Sequence, residues 1–232
     1  PIQRMIEQVP ADLRDRVHAD VPLRDLTTLR VGGPASLLCP VRNADDACRF
    51  QELAHRHAWP RTVLGGGSNI LAADAGYQGL VLRVATSDFA VDGEVVHAGC
   101  GLDFDDLIAR TLAAGLTGLE FASGIPGTLG GAIYGNAGAH GGDIASQLIL
   151  ADILHPVLGK VQWTSEQFEY GYRSSILKRT DNKAIILSAS LELSHSTREE
   201  VEDCLETILN RRIKMQPPGS SLGTIFKNPQ DD

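Results

Sequence analysis

The chain has 232 residues, an apolar fraction of 43% and a formal net charge of −8. This composition is typical of a globular protein with a buried core, and it excludes electrostatic wrapping of DNA or RNA, although a small anionic ligand needs only a local basic patch. No apolar run approaches the roughly 20 residues of a membrane span and no signal peptide opens the sequence, so we expect a cytoplasmic protein without a nucleic-acid partner.

Four cysteines are widely spaced and include no Cys-x-x-Cys pair: Cys39, Cys48, Cys100 and Cys204. This spacing favours buried, reduced thiols over a disulfide framework or a metal site. We therefore predict no metal centre.

Residues 22–85 predict a small α/β unit, preceded by a polar, weakly patterned N-terminal arm at 1–21. A β-prone run at 26–31 ends at a Gly-Gly-Pro turn signal. Asn43 is a candidate N-cap of a helix with an apolar face formed by Ala47, Phe50, Leu53 and Ala54. Strands predicted at 62–64 and 80–84 complete a β-α-β rhythm.

Residues 86–214 predict an α+β unit. Asp92-Gly93 lies between alternating segments and indicates a β-hairpin. A helix is predicted at 103–113 from its apolar spacing, and strands at 145–154 and 184–193.

A last helix is predicted after a capping-box pattern formed by Ser196 and Glu199. Its predicted buried face comprises Val201, Cys204, Leu205, Ile208 and Leu209.

A first glycine loop, Gly65-Gly66-Gly67-Ser68-Asn69, directly follows the strand at 62–64. Consecutive peptide N–H groups without side chains can form a concave anion site, and a diphosphate fits that description. The pattern matches neither the dinucleotide-binding GxGxxG motif nor the P-loop. A flexible turn is the alternative.

A second glycine-rich loop covers residues 124–132 and is followed by Asn136-Ala137-Gly138-Ala139. Its glycines alternate with Ile125 and Leu129, whereas a solvated linker would carry polar residues. This predicts backbone lying against a flat hydrophobic ligand, with a tightly packed internal turn as the alternative. Together the two loops favour a nucleotide-like cofactor.

Seven short segments, in order along the chain, carry a resemblance to a known family. They read TLRVGGPA (28–35), LGGGSN (64–69), GLEF (118–121), GIPG (124–127), YGNAGA (134–139), GYRSS (171–175) and FKNP (226–229). They resemble the UDP-N-acetylenolpyruvoylglucosamine reductases, in the subclass without an inserted tyrosine loop.

The resemblance implies an α+β, two-subdomain FAD-binding fold of the vanillyl-alcohol-oxidase (PCMH) type. The subdomains would be 22–85 and 86–214, and 215–232 would begin a substrate-binding domain. In the family that domain continues well beyond FKNP, so we expect the sequence to be C-terminally incomplete, with most of the domain missing.

The resemblance also assigns cofactor contacts. The implied FAD-binding residues are Gly65, Gly66, Gly67, Ser68, Asn69, Gly124, Ile125, Pro126, Gly127, Asn136, Ala137 and Gly138. Ser68 stands where covalent flavoproteins of the wider superfamily often place histidine, so we expect non-covalent FAD.

The implied reaction uses NADPH, through FAD, to reduce the enolpyruvyl ether of UDP-N-acetylglucosamine. Negative charge develops on the carbon that bears the carboxylate, and a cation must stabilise it. Arg173 is the candidate, because guanidinium is permanently charged and binds carboxylates bidentately; a surface salt bridge is the alternative. Tyr172, Lys227 and Asn228 are the implied substrate contacts.

Proton donation departs from the family pattern, because Thr224 stands where the family usually has serine. Its hydroxyl is competent, although the extra methyl restricts its rotamers. Ser220 and Ser221 are the fallback candidates. The family's catalytic glutamate has no counterpart among the last twenty residues, and none is assigned.

Two alternatives to this reductase remain open. One is a flavoprotein of the same superfamily that acts on another substrate, and the other is a flavin- or nucleotide-binding relative without catalysis. The sequence does not define the oligomeric state.

Overall fold

Two β-sheets share one hydrophobic core in the computed structural model, which describes residues 2–180, 182–197, 199–200, 203, 206–207 and 210. The core joins side chains of the first sheet, such as Leu37, to side chains of the second, such as Ala151. No helix among these described residues is long and apolar enough to cross a membrane.

The N-terminal segment is part of the fold. It contains α1 (Ile2–Gln8), a 3-10 helix (Ala11–Arg16) and strand β1 (His18–Pro22). Val9 and Leu13 are buried in the core. The arm predicted for residues 1–21 is therefore corrected. Its polar pattern arises because Val9 and Leu13 are the only buried side chains among residues 2–21.

The first sheet has the strand order β1-β2-β4-β3. It is completed by β2 (Pro34–Val41), β3 (Arg61–Leu64) and β4 (Tyr77–Val84). β2 and β3 run parallel to β4, while β1 is antiparallel to β2. The strands predicted at 62–64 and 80–84 are confirmed.

The β-prone run predicted at 26–31 is wrong. A 3-10 helix (Leu23–Leu26) leads into a turn, and the strand begins only at Pro34. Most of β2 is buried, so its sequence lacks the alternation of a half-exposed strand.

Helix α2 (Ala44–Arg56) covers this sheet and confirms the predicted cap. The Asn43 side chain accepts a hydrogen bond of 2.9 Å from the backbone N–H of Asp46. All four residues of the predicted apolar face are buried.

The second sheet is antiparallel, with the order β11-β10-β12-β6-β5. It begins with the hairpin β5 (Phe89–Asp92) and β6 (Val95–Gly99), in which Gly93 has φ 60°, as the Asp-Gly pair predicted. The segment that follows contributes α3 (Phe104–Ala113), β7 (Leu116–Thr117), α4 (Leu129–Gly135), β8 (Gly138–Ala139) and β9 (Gly142–Asp143). The helix predicted at 103–113 is confirmed by α3.

The remaining elements are β10 (Leu148–His155), β11 (Gly159–Thr164), α5 (Ile176–Arg179), β12 (Ile185–Glu192) and β13 (Ser194–His195). Both predicted strands are confirmed, but β10 starts later than expected because Ile144–Ser146 form a 3-10 turn.

The predicted capping box lies one residue later than expected. Thr197 accepts a hydrogen bond from the Glu200 backbone N–H at 3.3 Å, and the Glu200 carboxylate accepts one from the Thr197 backbone N–H at 3.1 Å. The Thr197 backbone N–H and the Ser196 and Thr197 hydroxyls, which all donate to the Glu200 carboxylate, hold the pKa of Glu200 below its usual range. The predicted buried face at Val201–Leu209 lies outside the described residues.

Candidate functional site

The two glycine loops meet in space, although they are far apart in the sequence. The Ser68 hydroxyl donates a hydrogen bond of 2.9 Å to the Pro126 carbonyl. A Cβ placed on Gly66 would lie 3.0 Å from the Cα of Gly127. The backbones can approach this closely only because both positions lack side chains.

A third segment, residues 26–31, packs on the first glycine loop. The Thr28 backbone N–H donates to the Gly67 carbonyl at 3.2 Å. Gly67 is buried with φ 69°, and a Cβ on it would lie 2.0 Å from the Leu26 carbonyl oxygen. Internal packing on the 26–31 turn therefore explains why glycine is needed at position 67.

Four consecutive backbone N–H groups in this loop have no acceptor among the described residues. They belong to Gly66, Gly67, Ser68 and Asn69. Gly66 and Asn69 are exposed and Ser68 is half-buried, so a ligand can reach the row. Successive free N–H groups make a binding surface for an anion such as a diphosphate.

The second glycine-rich segment is a loop only as far as Thr128. Thr128 caps α4, accepting from the Gly131 backbone N–H at 3.4 Å. The prediction of a loop through residue 132 is wrong, because α4 begins at Leu129. The helix contains glycine at position 130 because a Cβ there would lie 2.9 Å from the Cys100 carbonyl oxygen. Tight packing overrides the poor helix propensity of glycine.

The predicted cofactor contact Asn136 ends α4 in the left-handed conformation, with φ 48°. Its side chain is buried and bonded within the protein: Oδ1 accepts from the Ala145 N–H at 3.3 Å, and Nδ2 donates to the Gly171 carbonyl at 3.2 Å. Ala137 donates its N–H to Ala132, and Gly138 pairs in β8. These polar groups serve the scaffold.

Arg173 lies in a tight turn closed by two backbone hydrogen bonds between Gly171 and Ser174, of 3.0 and 3.1 Å. It has φ 56°, and its guanidinium carbon lies 5.4 Å from the centre of the Tyr172 ring. Tyr172 is 56% exposed. Within the described residues Arg173 forms no ion pair, so the surface salt bridge weighed as its alternative is not observed.

Helix α4 connects the two halves of the site. Its first residues adjoin the glycine loops, and its last residues contact the Arg173 turn through Asn136 and through the Ser175 hydroxyl, which donates to the Tyr134 carbonyl at 2.6 Å. A helix of seven residues is about 10 Å long. The predicted residues Thr224, Lys227 and Asn228 lie outside the described residues.

Sequence reasoning missed several contributors to this arrangement. The TLRVGGPA and GYRSS segments carried the family resemblance, but no role was predicted for the 26–31 turn or for Ser175. The signal for the turn was present, because three glycines in a row required some backbone to approach them.

A separate cleft of about 370 Å³ lies between the start of α2 and the second sheet. It includes no predicted site residue. Two carboxylates line it, Asp88 and Asp152, and Asp152 already accepts hydrogen bonds from Ser188 at 2.6 Å and Gln162 at 3.0 Å. No cluster of three potential metal ligands occurs among the described residues.

Comparison with known proteins gives a consistent match. An FAD-binding-domain family model covers residues 35–165. The UDP-N-acetylenolpyruvoylglucosamine reductase of Bacillus velezensis is 36% identical, over 98% of this chain and 77% of that protein. The protein of the same name from Rubrobacter xylanophilus is 38% identical, over 92% of this chain and 72% of that one.

Solved structures agree. The reductase from Thermus caldophilus superposes with a TM-score of 0.81 at 34% identity, covering 93% of this chain and 76% of that one. Alkyldihydroxyacetonephosphate synthase superposes with a TM-score of 0.59 at 18% identity, over 83% of this chain and 40% of that one, which shows a shared fold alone. The predicted α+β FAD-binding fold is confirmed. This chain belongs to the UDP-N-acetylenolpyruvoylglucosamine reductase family.

Proposed function

We propose that the chain binds FAD non-covalently and, with NADPH as reductant, reduces UDP-N-acetylglucosamine enolpyruvate to UDP-N-acetylmuramate, a step of peptidoglycan precursor synthesis. The observation that carries this proposal is the row of N–H groups at 66–69, joined through α4 to an arginine that pairs with no described carboxylate. One end of this arrangement suits a dinucleotide and the other suits a carboxylate.

The residues present fit FAD. The N–H groups of Gly66 to Asn69 would address the diphosphate, and the apolar loop at 124–127 would lie against the rest of the cofactor. When bound, FAD supplies the hydride for the reduction. The Ser68 hydroxyl, engaged with Pro126, offers no histidine-like attachment point, which supports non-covalent binding.

Arg173 is proposed to bind the substrate carboxylate and to stabilise the negative charge that grows beside it. A guanidinium without a carboxylate partner among the described residues is available to bind one bidentately. Tyr172 lies under the guanidinium and would help to orient it.

Protonation of the developing carbanion is proposed to come from the Thr224 hydroxyl, with Lys227 and Asn228 contacting the UDP-sugar. These assignments derive from the family pattern, because the three residues lie outside the described part of the chain.

The first test is spectroscopic. The purified protein should be yellow with a flavin absorption band, and acid precipitation should release the flavin. After reduction by NADPH without oxygen, UDP-N-acetylglucosamine enolpyruvate should reoxidise the flavin. If the oxidation product of a hydroxy acid, and not the enolpyruvyl compound, reoxidises the flavin, the chain acts on another substrate. FAD binding without turnover would indicate a non-catalytic relative.

Arg173→Ala should leave FAD bound but slow anaerobic reoxidation by about 100-fold or more, the usual effect of removing a group that stabilises transition-state charge. Arg24→Ala is the control, because Arg24 is an exposed arginine whose ion pair with Asp25 is long, at 3.9 Å. Stopped-flow absorbance measures both variants. Near-normal reoxidation in Arg173→Ala would remove the assignment.

A further inference from the structure

The turn that carries Arg173 is attached to the end of α4 at two points. At its start, the Gly171 carbonyl accepts a hydrogen bond of 3.2 Å from Asn136 Nδ2. At its end, the Ser175 hydroxyl donates a hydrogen bond of 2.6 Å to the Tyr134 carbonyl. We call Asn136, Ser175 and these two bonds the turn clamp.

Asn136 is suited to this position. Asparagine tolerates the left-handed conformation that ends α4, and the residue is 6% exposed. Its Oδ1 is held by the Ala145 N–H at 3.3 Å, which fixes the direction in which Nδ2 donates. A second contact from Nδ2 to Asp143, at 3.3 Å, ties the same amide to β9.

Ser175 is fully buried and serves two structures at once. Its hydroxyl donates to Tyr134, and its oxygen accepts from the Lys178 backbone N–H at 3.3 Å, which caps α5. The turn between the two attachment points, Gly171 and Ser175, holds Arg173 at φ 56°, a conformation that a residue with a side chain keeps only when its surroundings enforce it.

We propose that Asn136 and Ser175 are positioning residues for substrate recognition: by fixing both ends of the turn to α4, they set the place of the Arg173 guanidinium relative to a cofactor held at the other end of that helix. This inference rests on the proposed function, because it takes Arg173 as the group that binds the enolpyruvyl carboxylate. Neither residue needs to touch substrate or cofactor.

The test uses Asn136→Gly and Ser175→Ala in the full chain with FAD bound. Glycine keeps the left-handed backbone but removes all three hydrogen bonds of the Asn136 side-chain amide, and alanine removes the Ser175 hydroxyl. Each variant should bind UDP-N-acetylglucosamine enolpyruvate about tenfold more weakly, measured by calorimetry and by the change in flavin absorption. In Ser175→Ala, FAD affinity should stay within about twofold, because neither the first glycine loop nor a predicted FAD contact is changed.

Two measurements separate positioning from loss of structure. UDP-N-acetylglucosamine lacks the carboxylate, so its affinity should not change in either variant. In an Arg173→Ala background, Asn136→Gly should have no further effect on the enolpyruvyl compound, because the group that it positions is gone. Ser188→Ala, which removes a hydrogen-bonded serine in the separate cleft, is the control.

Equal weakening of both UDP-sugars, loss of FAD from Ser175→Ala, or additive effects with Arg173→Ala would each overturn the proposed role of the turn clamp. If Asn136→Gly does not fold, the same comparisons on Ser175→Ala decide the question. Absence of FAD binding in the unmodified chain would instead reject the proposed function, and an unaffected Arg173→Ala variant would reject the role of Arg173.

Discussion

Gly67 shows how a single residue can be required for reasons of packing and of conformation together. Its φ of 69° favours glycine, and the Leu26 carbonyl occupies the place where a Cβ would stand. Gly93 shares the positive φ, at 60°, but a Cβ added there would meet nothing within 4 Å. Comparing Gly67 with Gly93 therefore separates the effect of packing from the effect of the left-handed conformation.

Gly67→Ala should therefore be more destabilising than Gly93→Ala. We expect Gly93→Ala to lower the free energy of unfolding by about 1–2 kcal/mol, the usual left-handed penalty. Gly67→Ala should cost more and should also weaken FAD binding, because the Leu26–Val31 turn must move. Urea unfolding and flavin fluorescence measure the two quantities. Equal losses in the two variants would show that packing on Leu26 contributes little.

Arg30 belongs to the turn that packs on the first glycine loop. It is exposed, has φ 53°, and forms no ion pair with any described residue. The turn is held by the buried Thr27 hydroxyl, which donates to the Val31 carbonyl at 3.2 Å. Arg30 lies two residues after Thr28, whose N–H donates to the Gly67 carbonyl at 3.2 Å, and we expect its cation to face a diphosphate bound at the free N–H groups of that loop.

Arg30→Gln should weaken FAD binding about tenfold and reduce its dependence on salt, because one cation near the diphosphate is lost. Riboflavin, which has no phosphate, should bind equally to the variant and the unmodified chain. Arg24→Gln removes an equal charge from the preceding 3-10 helix and serves as the control. An unchanged FAD affinity in Arg30→Gln would place this side chain away from the ligand.

At the scale of elements, an ion pair with one buried partner joins the N-terminal segment to α2. Arg16, partly exposed, contacts Asp46, whose side chain is 1% exposed, at 2.7 Å. The same carboxylate accepts from the Arg42 backbone N–H at 3.1 Å. Asp46 thus joins the 3-10 helix before β1 to the start of α2.

Arg16→Gln should lower the free energy of unfolding by about 1–3 kcal/mol, because the buried carboxylate loses its charged partner. Thermal or urea denaturation measures the change. Arg56→Gln is the matched control, since its pair with Glu52 is exposed and exposed pairs contribute about 0–1 kcal/mol. Similar small losses in both variants would show that the N-terminal segment does not depend on this pair.

Elements with a clear period were predictable from the sequence, and those defined by tertiary packing were not. The amphipathic spacing and the Asn43 cap identified α2. In contrast, β2 is buried along most of its length and gives no alternation, and α4 contains glycines that argue against a helix. Only the contact of Gly130 with Cys100 explains why glycine is needed inside that helix.

The candidate site was predictable as a set of segments but not as an arrangement. Glycine patterns located both loops, and the family resemblance located Arg173. The hydrogen bonds of the Asn136 amide to Ala145 and Gly171 could not be predicted from residue spacing, because hydrogen bonds between distant segments depend on the folded geometry. The predicted contacts of 136–138 with FAD stay a prediction.

For the molecule as a whole, the shared core should protect two of the cysteines. Burial raises the pKa of the Cys39 thiol to about 12, and burial also raises the pKa of Cys100. Only the thiolate reacts with alkylating reagents. At neutral to mildly alkaline pH both thiols should therefore stay protonated and unlabelled in the folded protein.

We expect iodoacetamide to label Cys48, which is half-buried, before Cys39 or Cys100. Mass spectrometry of peptides resolves the sites, and labelling in urea gives the reference in which all four cysteines react. Rapid native labelling of Cys100 would show that the two sheets separate readily at their common core.

The shortness of α4 has a consequence for what the chain can tolerate. Its seven residues fix both the spacing and the angular relation between the backbone proposed to bind the diphosphate and the guanidinium proposed to bind the substrate. Adding one residue would displace everything after it by about 1.5 Å and turn it by about 100° around the helix axis. Substitutions on α4 are tolerated within the limits set by packing in the core. An insertion or deletion is not, because it would change the position of the Arg173 guanidinium relative to the first glycine loop.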